Sequence, residues 1–276
     1  MAHSPSTGLP GSAFTTRTRR ELAEAAAATH EVNSANNNVS YKVLYLKLHG
    51  MAATTRAILA VSGVKWENIY PSDWVSEKPH TPLGVMPILY EIHRSSPSLP
   101  STNPGLVLEI PESEAIERYL ARKFGLLGQD EWEETAINVF YSSSNAIMSF
   151  YINKVLLAFP DIKQRELEKF LTKDLPVWIS QHEKWLAKNG NNGHYVGDQL
   201  SLADIRSVIC LERFMAIPEC NPQTNSERNM FSLATPGLFK LKQVLDSRPG
   251  YAAWISSEEF NTITASTKQR LSVLSG

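Results

Sequence analysis

The sequence predicts an α+β region with a small mixed sheet, followed by a second region made of helices. Apolar residues alternate with polar ones at residues 42–48, and an apolar strand pattern follows Pro87. Between these stretches, at residues 54–63, the apolar positions recur at helical spacing. After Gly128 the patterns are helical. A chain with strands first and helices afterwards is typical of an α+β fold or of two separate domains.

The composition is that of an ordinary globular protein, and it argues against several classes of partner. The 276 residues allow one or two domains, and 42% hydrophobic with 20% charged residues is a usual balance. A net charge of -1 supplies no positive field, so we expect neither nucleic acid nor a membrane as a partner. No apolar run reaches the roughly 18 residues of a membrane span. Cys210 and Cys220 lack CxxC spacing and a histidine partner, so we interpret them as buried thiols.

The first elements form a βαβ unit. The alternating residues 42–48 predict a strand that ends in a turn at His49 and Gly50. The helical pattern of residues 54–63 stops at a glycine suited to a helix C-terminus. Residues 64–70 predict a second strand, which Pro71 closes. The handedness rule for such crossovers makes the two strands parallel.

The stretch 84–90 places Pro87 at the start of an apolar strand. Proline has no N–H for the ladder, so it occupies the first position of a strand or an edge. A cis Met86–Pro87 bond would present the N–H and C=O of Met86 outward, as a two-point dock for another peptide backbone. Only about 5–6% of such bonds are cis in folded proteins, so the pattern by itself favours the trans isomer. A second strand at 106–110 follows a Pro/Ser-rich loop, residues 95–105, and predicts an antiparallel hairpin.

Helical patterns account for the rest of the chain. A helix begins at Glu112 and Ser113 and runs to Gly125. Ser201 and Asp204 have the spacing of a capping box before an apolar helix. The later helices are predicted at residues 132–159, 162–188, 202–217, 236–245 and 251–255.

Residues 1–40 are rich in Ala, Ser, Thr and Asn, and we expect a flexible tail with one short helix. The first twenty residues contain Arg17, Arg19 and Arg20 and no acid, which is also typical of a mitochondrial transit peptide. Both interpretations of the tail stay open.

The order of these elements, together with several short motifs, resembles the cytosolic glutathione transferases of the tyrosine type, closest to the sigma-like class. The motifs lie at residues 42–45, 73–78, 84–89, 112–116, 196–204 and 248–255. Each motif is weak alone, but their shared order over about residues 41–255 is specific. The resemblance implies a thioredoxin-like domain (β-α-β-α-β-β-α) at residues 41–126 and an all-α domain at 127–276. It also implies a homodimer in the cytoplasm that uses glutathione as co-substrate and no prosthetic group.

The chemistry of such an enzyme requires a thiolate, although a free thiol has a pKa of roughly 8.5. A phenol hydroxyl that donates a hydrogen bond to the sulfur favours the anion. The resemblance assigns this catalytic role to Tyr45, near the end of the first strand. Without the resemblance, a tyrosine in a strand is usually a packing residue.

The resemblance also assigns residues to the two ends of glutathione. Trp74 and Lys78 would hold its glycine carboxylate, although a loop lysine is often merely solvated. At the γ-glutamyl end, the N-terminus of a helix attracts an anion, so Ser113 would bind the carboxylate and Glu112 the ammonium group. The alternative for these two is an ordinary helix cap. The backbone of Met86, before a cis Pro87, would pair with the cysteinyl residue.

The chain departs from the sigma-like pattern at several positions. Met51 stands where that class has an arginine soon after the tyrosine, and Val85 stands where it often has Gln. Asn138 and Ser142 stand in a region where acidic residues are expected. Five apolar or aromatic residues lie at helical spacing and would face either the core or a second pocket: Phe140, Tyr141, Met148, Phe150 and Tyr151.

The predicted function is the conjugation of the glutathione thiolate to small apolar electrophiles. Two alternatives share the same residues. One is a glutathione-binding or ligand-holding protein with little turnover, which Met51 and Val85 suggest. The other is a glutathione-dependent isomerase or peroxidase, which differs in the second pocket.

Overall fold

The computed structural model describes residues 39–93, 106–220 and 235–275. In these residues four strands form one mixed sheet: β1 (Val39–Leu44), β2 (Trp66–Ile69), β3 (Ile88–His93) and β4 (Leu106–Pro111), in the order β2-β1-β3-β4. β1 and β2 are parallel, whereas β3 is antiparallel to β1 and to β4. The predicted parallel βαβ unit and antiparallel hairpin are confirmed.

Helices accompany the sheet and then make up the rest of the described chain. In the sheet region they are α1 (Ala53–Val61), the single turn α2 (Trp74–Glu77) and α3 (Ser113–Lys123). The helical region contains α4 (Glu131–Phe150), α5 (Pro160–Lys169), α6 (Leu175–Lys188), α7 (Leu202–Met215), α8 (Pro236–Asp246), α9 (Pro249–Ile255) and α10 (Glu258–Ser275). The predicted fold class is confirmed.

Helix α10 is absent from the sequence-based expectation, which ended at residue 255. Its sequence includes Thr262, Thr264 and Thr267, and β-branched residues lower helix propensity. The apolar periodicity of this stretch is weak, so tertiary contacts decide its conformation. Two π-helical segments, Tyr151–Leu156 and Phe170–Asp174, also interrupt stretches that the sequence predicts as continuous helices.

One hydrophobic core extends from the sheet region into the helical region. Ile58 of α1 and Leu120 of α3 are fully buried in it, as is Phe214 of α7. At Gly250 the backbone of α9 approaches α1 so closely that a Cβ would collide with the carbonyl oxygen of Ala60. The two regions therefore share a core of side chains, and at Gly250 their backbones are in contact.

The predicted capping box at the start of α7 is confirmed. The Ser201 Oγ accepts a hydrogen bond from the Asp204 N–H at 3.4 Å, and Asp204 accepts one from the Ser201 N–H at 2.8 Å. The carboxylate also accepts from the Tyr195 N–H at 2.9 Å, which ties the preceding loop to the helix. Cys210 and Cys220 are buried thiols, as predicted.

The expectations for residues 1–38 of the tail and for the loop 95–105 concern parts of the chain outside the described residues. Val39 and Ser40, which were expected in the tail, instead begin β1. Of the helices that the structure does describe, none combines the length and the apolar character that a bilayer crossing requires.

Candidate active site

Tyr45 lies in the turn that follows β1. The predicted strand at 42–48 is too long, because β1 ends at Leu44. The phenol oxygen of Tyr45 accepts a hydrogen bond from the Met51 N–H at 3.1 Å. Within the described residues, no group accepts a hydrogen bond from this hydroxyl. Its proton is therefore available to a ligand. Gly50 permits this arrangement, since a Cβ there would collide with the phenol oxygen.

The fully buried side chain of Arg56 holds the turn after β1 in place by hydrogen bonds. Its Nη1 donates to the Leu48 carbonyl at 2.6 Å, and its Nε donates to Asn68 Oδ1 at 2.6 Å. A weaker bond at 3.4 Å reaches the Leu46 carbonyl. Burial lowers the pKa of Arg56 to about 10, so the guanidinium remains charged at neutral pH, with its carbon 5.8 Å from the centroid of the Tyr45 ring.

The sequence analysis missed Arg56. The available signal is an arginine within a helix whose other residues are almost all apolar or small, because an unpaired charge is rarely buried there. The carbonyl partners are in a turn whose path depends on the fold.

The bond between Met86 and Pro87 is cis, and Pro87 directly precedes β3. In the described part of the chain, neither the N–H nor the C=O of Met86 forms a hydrogen bond. The side chain of Lys78 runs beside this segment, with its Cε 3.5 Å from the position of a Cβ on Gly84. Lys78 is exposed, and its N–H donates to the carbonyl of Trp74, one helical turn earlier.

Glu112 and Ser113 lie where β4 passes into α3. Glu112 is exposed and has a backbone φ of 70° and ψ of 116°, a conformation that a residue with a side chain rarely adopts. Such an outlier costs of order 1–3 kcal/mol and motivates a functional explanation. Ser113 is buried and begins α3, whose first N–H groups have no partner within the helix.

The strand register brings these positions to one end of the sheet. Leu44 of β1 pairs with Ile88 of β3, and Ile88 pairs with Pro111 of β4. The residues just beyond this row are Tyr45, the Met86–Pro87 segment, and Glu112 with Ser113. We call this end of the sheet the rim.

A cavity of about 400 Å³ adjoins the rim at Gly50. Its walls come from the turn after β1 and from α4, α7, α9 and α10. Apolar lining residues include Met148, Ile152, Ile209, Trp254, Phe260 and Leu271. Of the five residues expected at a second pocket, Met148 is among the lining, whereas Tyr141 is buried elsewhere and donates to Glu117 at 2.8 Å.

His49 joins the turn after β1 to the C-terminal helix. Its N–H donates to Thr267 Oγ1 at 2.9 Å, and its Nε2 lies 2.8 Å from Thr264 Oγ1. The Thr264 hydroxyl already donates to the Phe260 carbonyl at 2.8 Å, so His49 is the donor to Thr264. Burial, with the nearby charges of Arg56 and Arg213, lowers the pKa of His49 to about 4, so the ring is neutral at pH 7.

A family model described as the C-terminal domain of glutathione S-transferase matches residues 151–258. The probable glutathione S-transferase 7 of Caenorhabditis elegans is 32% identical over 176 residues, which cover 60% of this chain and 76% of that protein. The chain belongs to the glutathione S-transferase family. It is a glutathione transferase, in agreement with the predicted family.

Other matches of this transferase support the same family. The hematopoietic prostaglandin D synthase of Gallus gallus is 26% identical over 224 residues, covering 78% of this chain and 95% of that protein. Among solved structures, a Pi-class glutathione S-transferase of Onchocerca volvulus has a TM-score of 0.62 at 25% identity, with 81% of this chain and 95% of that chain covered.

The structure brings most of the residues predicted for the transferase site to one place. Tyr45, Met86, Pro87, Glu112 and Ser113 share the rim. Lys78 approaches it beside Gly84, and half-buried Trp74 lies one turn before Lys78. Their individual roles stay predictions.

Proposed function

We propose that this transferase binds glutathione along the rim and transfers its thiolate to small apolar electrophiles in the cavity. The observation that carries the proposal is the position of the Tyr45 hydroxyl. It lies against Gly50, which lines the mostly apolar cavity, and its proton has no acceptor within the described residues. Tyr45 also directly follows Leu44, whose strand partner Ile88 directly follows the Met86–Pro87 segment.

The hydrogen bond from Met51 supports the catalytic role of Tyr45. Because the Met51 N–H occupies a lone pair of the phenol oxygen, the hydroxyl proton can point toward the sulfur of glutathione. The buried charge of Arg56 makes the potential at the phenol more positive, which also favours a nearby anion. Lowering a thiol pKa by two units requires about 2.7 kcal/mol of preference for the thiolate.

The reaction then needs no further catalytic group. The thiol proton passes to solvent, and the sulfur attacks the electrophilic carbon to form a C–S bond. In an aryl chloride, chloride leaves with the electron pair of the C–Cl bond. The protein lowers the barrier by holding the thiolate and the electrophile within reach of each other.

The remaining rim residues would orient the tripeptide. Met86 would pair with the cysteinyl backbone, as an added strand pairs with a sheet edge. The N-terminus of α3 at Ser113 would bind the γ-glutamyl carboxylate, and Glu112 would bind the ammonium group. Lys78, with Trp74, would bind the glycine carboxylate.

The decisive experiment is Tyr45→Phe, assayed with glutathione and 1-chloro-2,4-dinitrobenzene. We expect kcat to fall by about 100-fold, which corresponds to the loss of about 2.7 kcal/mol of thiolate stabilisation. The pKa of the bound thiol, read from thiolate absorbance, should rise to that of a free thiol. Equal rates in both proteins would remove Tyr45 from the mechanism.

Tyr119→Phe is the matched control. It removes the same atom from a phenol that donates to Glu91 at 2.7 Å on another part of the sheet region. Conjugation by this variant should stay within about twofold of the parent, since its contacts are remote from the rim.

A glutathione-dependent isomerase is a second candidate function. The match to the prostaglandin D synthase of Gallus gallus over 95% of that protein favours it. An isomerase regenerates glutathione, whereas a conjugating enzyme consumes it. Measuring glutathione consumption against substrate conversion separates the two, because conjugation requires equal amounts of both.

The ligand-holding alternative has a separate test. Met51 in place of the class arginine favours it, and it predicts retention on a glutathione resin without activity toward any of a broad panel of electrophiles. We also propose a cytoplasmic homodimer. Light scattering that shows only monomer would contradict the dimer.

A further inference from the structure

The cavity contains an arginine that the proposed reaction does not use. Arg213 is on α7, one helical turn after Ile209, and both residues line the cavity. Arg213 is half-buried, and its guanidinium carbon lies 6.0 Å from the centroid of the Tyr151 ring. The ion pairs formed among the described residues do not include Arg213.

The carboxylate nearest to Arg213 in sequence is already committed elsewhere. Glu212 also lines the cavity, but its Oε1 accepts a hydrogen bond from Lys242 Nζ at 2.6 Å. Its other oxygen accepts one from the Tyr251 hydroxyl at 3.4 Å. Lys242 in turn contacts Asp246 at 3.0 Å. Both oxygens of Glu212 are therefore engaged by other groups, and no ion pair joins Glu212 to Arg213.

The other ionisable groups of the lining do not neutralise Arg213 either. His49 is neutral at pH 7, as described above. Lys268 of α10 is exposed and adds a second positive charge to the wall. Of the described residues that line the cavity, Glu212 is therefore the single acid, against two free cations.

A half-buried guanidinium that no carboxylate contacts directly is an unfavourable arrangement for the protein alone. Burial lowers the pKa of Arg213 because it removes water from the charged form. An anion of the ligand would restore the lost hydrogen bonds, and a carboxylate matches the planar fork of arginine with two parallel bonds. Apolar walls around that contact strengthen it, since they exclude water.

We infer that the cavity selects apolar electrophiles that carry a carboxylate, with the carboxylate at Arg213 and the reactive carbon toward Gly50. This inference deepens the proposed function and rests on it, because Gly50 adjoins the Tyr45 hydroxyl to which the sulfur of glutathione is assigned. The ligand class is that of amphipathic monocarboxylic acids with an electrophilic centre in the apolar body.

Binding is measured first, without glutathione, using the fluorescent fatty acid cis-parinaric acid and its methyl ester. The two probes share the apolar body and differ in charge. We expect the parent to bind the acid at least tenfold more tightly than the ester, since hydrogen bonds to charged groups are the stronger class. In Arg213→Gln this ratio should fall to about one, whereas Arg213→Lys should keep part of it.

Arg270→Gln is the matched control for the change in charge. Arg270 is exposed on α10 and is not among the residues that line the cavity. Its replacement should leave the acid-to-ester ratio unchanged. Equal affinity for acid and ester in the parent, or a ratio unaffected by Arg213→Gln, would overturn the inference.

Conjugation is measured second, with 4-chloro-3,5-dinitrobenzoate and its methyl ester as electrophiles. We expect the parent to prefer the acid in kcat/KM, and Arg213→Gln to lose that preference. If the parent conjugates neither compound but retains the parinaric acid ratio, the proposed function fails and the carboxylate site stands. If it conjugates both without preference and binds both probes equally, the transfer stands and the inference is wrong.

A last readout separates ligand binding from an effect of Arg213 on the Tyr45 phenol. The pKa of the bound thiol is compared between the parent and Arg213→Gln. A raised thiol pKa together with unchanged acid-to-ester ratios would make Arg213 a residue that tunes the thiolate, and would contradict its role in binding a carboxylate.

Discussion

The rim and the cavity meet at a single turn but are built in different ways. The rim consists of the ends of three strands that lie in one row, set by the pairs of Leu44 with Ile88 and of Ile88 with Pro111. The cavity is formed by five segments that range in the sequence from His49 to Leu271. The rim presents backbone groups together with the side chains of Tyr45 and Glu112, whereas the cavity presents mainly apolar side chains.

Because of this difference, specificity for the tripeptide and specificity for the second substrate would depend on different kinds of group. A tripeptide can be recognised by free N–H and C=O groups, which any sequence provides if the turn geometry is right. In the proposed function a second substrate is recognised by side chains, so its identity would depend on residues such as Arg213. In the same proposal, the turn that contains Tyr45 and Gly50 contributes to both sites.

The largest effect is expected from a substitution at the turn that the rim and the cavity share. Arg56→Met leaves the carbonyl of Leu48 and the side chain of Asn68 without their donor. We expect a loss of about 4 kcal/mol in the free energy of unfolding, since removing one partner of a buried charged network typically costs 3–5 kcal/mol. Urea unfolding measures it, and glutathione binding and cavity binding should both weaken.

Arg165→Met is the control for this prediction. Arg165 is on the surface, with 72% of its side chain exposed, and it contacts its neighbour Glu166 at 3.1 Å. Its replacement should change the free energy of unfolding by less than about 1 kcal/mol. A comparable loss in both variants would show that Arg56 has no special role in the turn.

A second, smaller effect is a difference in the pH dependence of stability between a residue of the cavity, His49, and a residue of the rim helix, Glu117. His49, on the cavity side, has a pKa lowered by burial to about 4, against 6.5 when unfolded. The stability from the neutral ring is present above pH 6.5 and is lost as the pH falls toward 4. We therefore expect His49→Gln, compared with the parent, to gain about 2 kcal/mol in relative stability between pH 7 and pH 5.

Glu117, on the helix of the rim, provides the opposite control. Burial raises its pKa to about 7, against 4.5 when unfolded, so its protonated form is favoured in the fold. Its stabilising contribution is present below pH 4.5 and is lost as the pH rises to 7. Glu117→Gln should therefore lose relative stability on acidification. The same pH dependence of stability in both variants would contradict the opposite pKa shifts of His49 and Glu117.

The smallest effect on stability is expected from a substitution at Glu112 in the rim. Glu112→Gly removes the side chain from a position with φ of 70°, where glycine is unstrained. We expect the free energy of unfolding to rise by up to about 1 kcal/mol, because the relieved strain exceeds the entropic cost of glycine. Calorimetric titration with glutathione should nevertheless show an affinity about tenfold weaker.

Glu114→Gly tests the alternative that any glycine at the start of α3 has these effects. Glu114 is exposed on the helix with no conformational outlier, so the replacement should cost about 1 kcal/mol and leave glutathione binding unchanged. If Glu112→Gly retains full glutathione affinity, the proposed contact with the ammonium group is wrong.

Much of the rim can be predicted from the sequence, because its signals come from residues that are close together in the chain. Pro87 indicated the start of a strand, and the parallel and antiparallel pairings followed from the lengths of the connections. Ser201 and Asp204 indicated the cap of α7, since a capping box involves four consecutive residues. The exact end of β1 was not readable, because the turn at Tyr45 depends on the buried side chain of Arg56.

The cavity could not be read in the same way. The C-terminal helix α10 has a weak apolar period, and it is positioned by the bonds from His49 to Thr264 and Thr267, more than 200 residues away in the chain. Met148 was correctly grouped as a possible pocket residue but could not be separated from core residues on the same helix. No sequence pattern marked Arg213 as a binding residue, because an arginine near the C-terminus of a helix is ordinarily exposed to solvent.

The sequence by itself determined the order of the strands and helices up to residue 255, the resemblance to the family, and the residues offered at the rim. Those features depend on local backbone preferences and on connection lengths, which are properties of adjacent residues. Only the tertiary structure decided that Arg213 faces a cavity and that α10 forms one of its walls. Such placement depends on contacts between segments that are distant in sequence, so no local pattern encodes it.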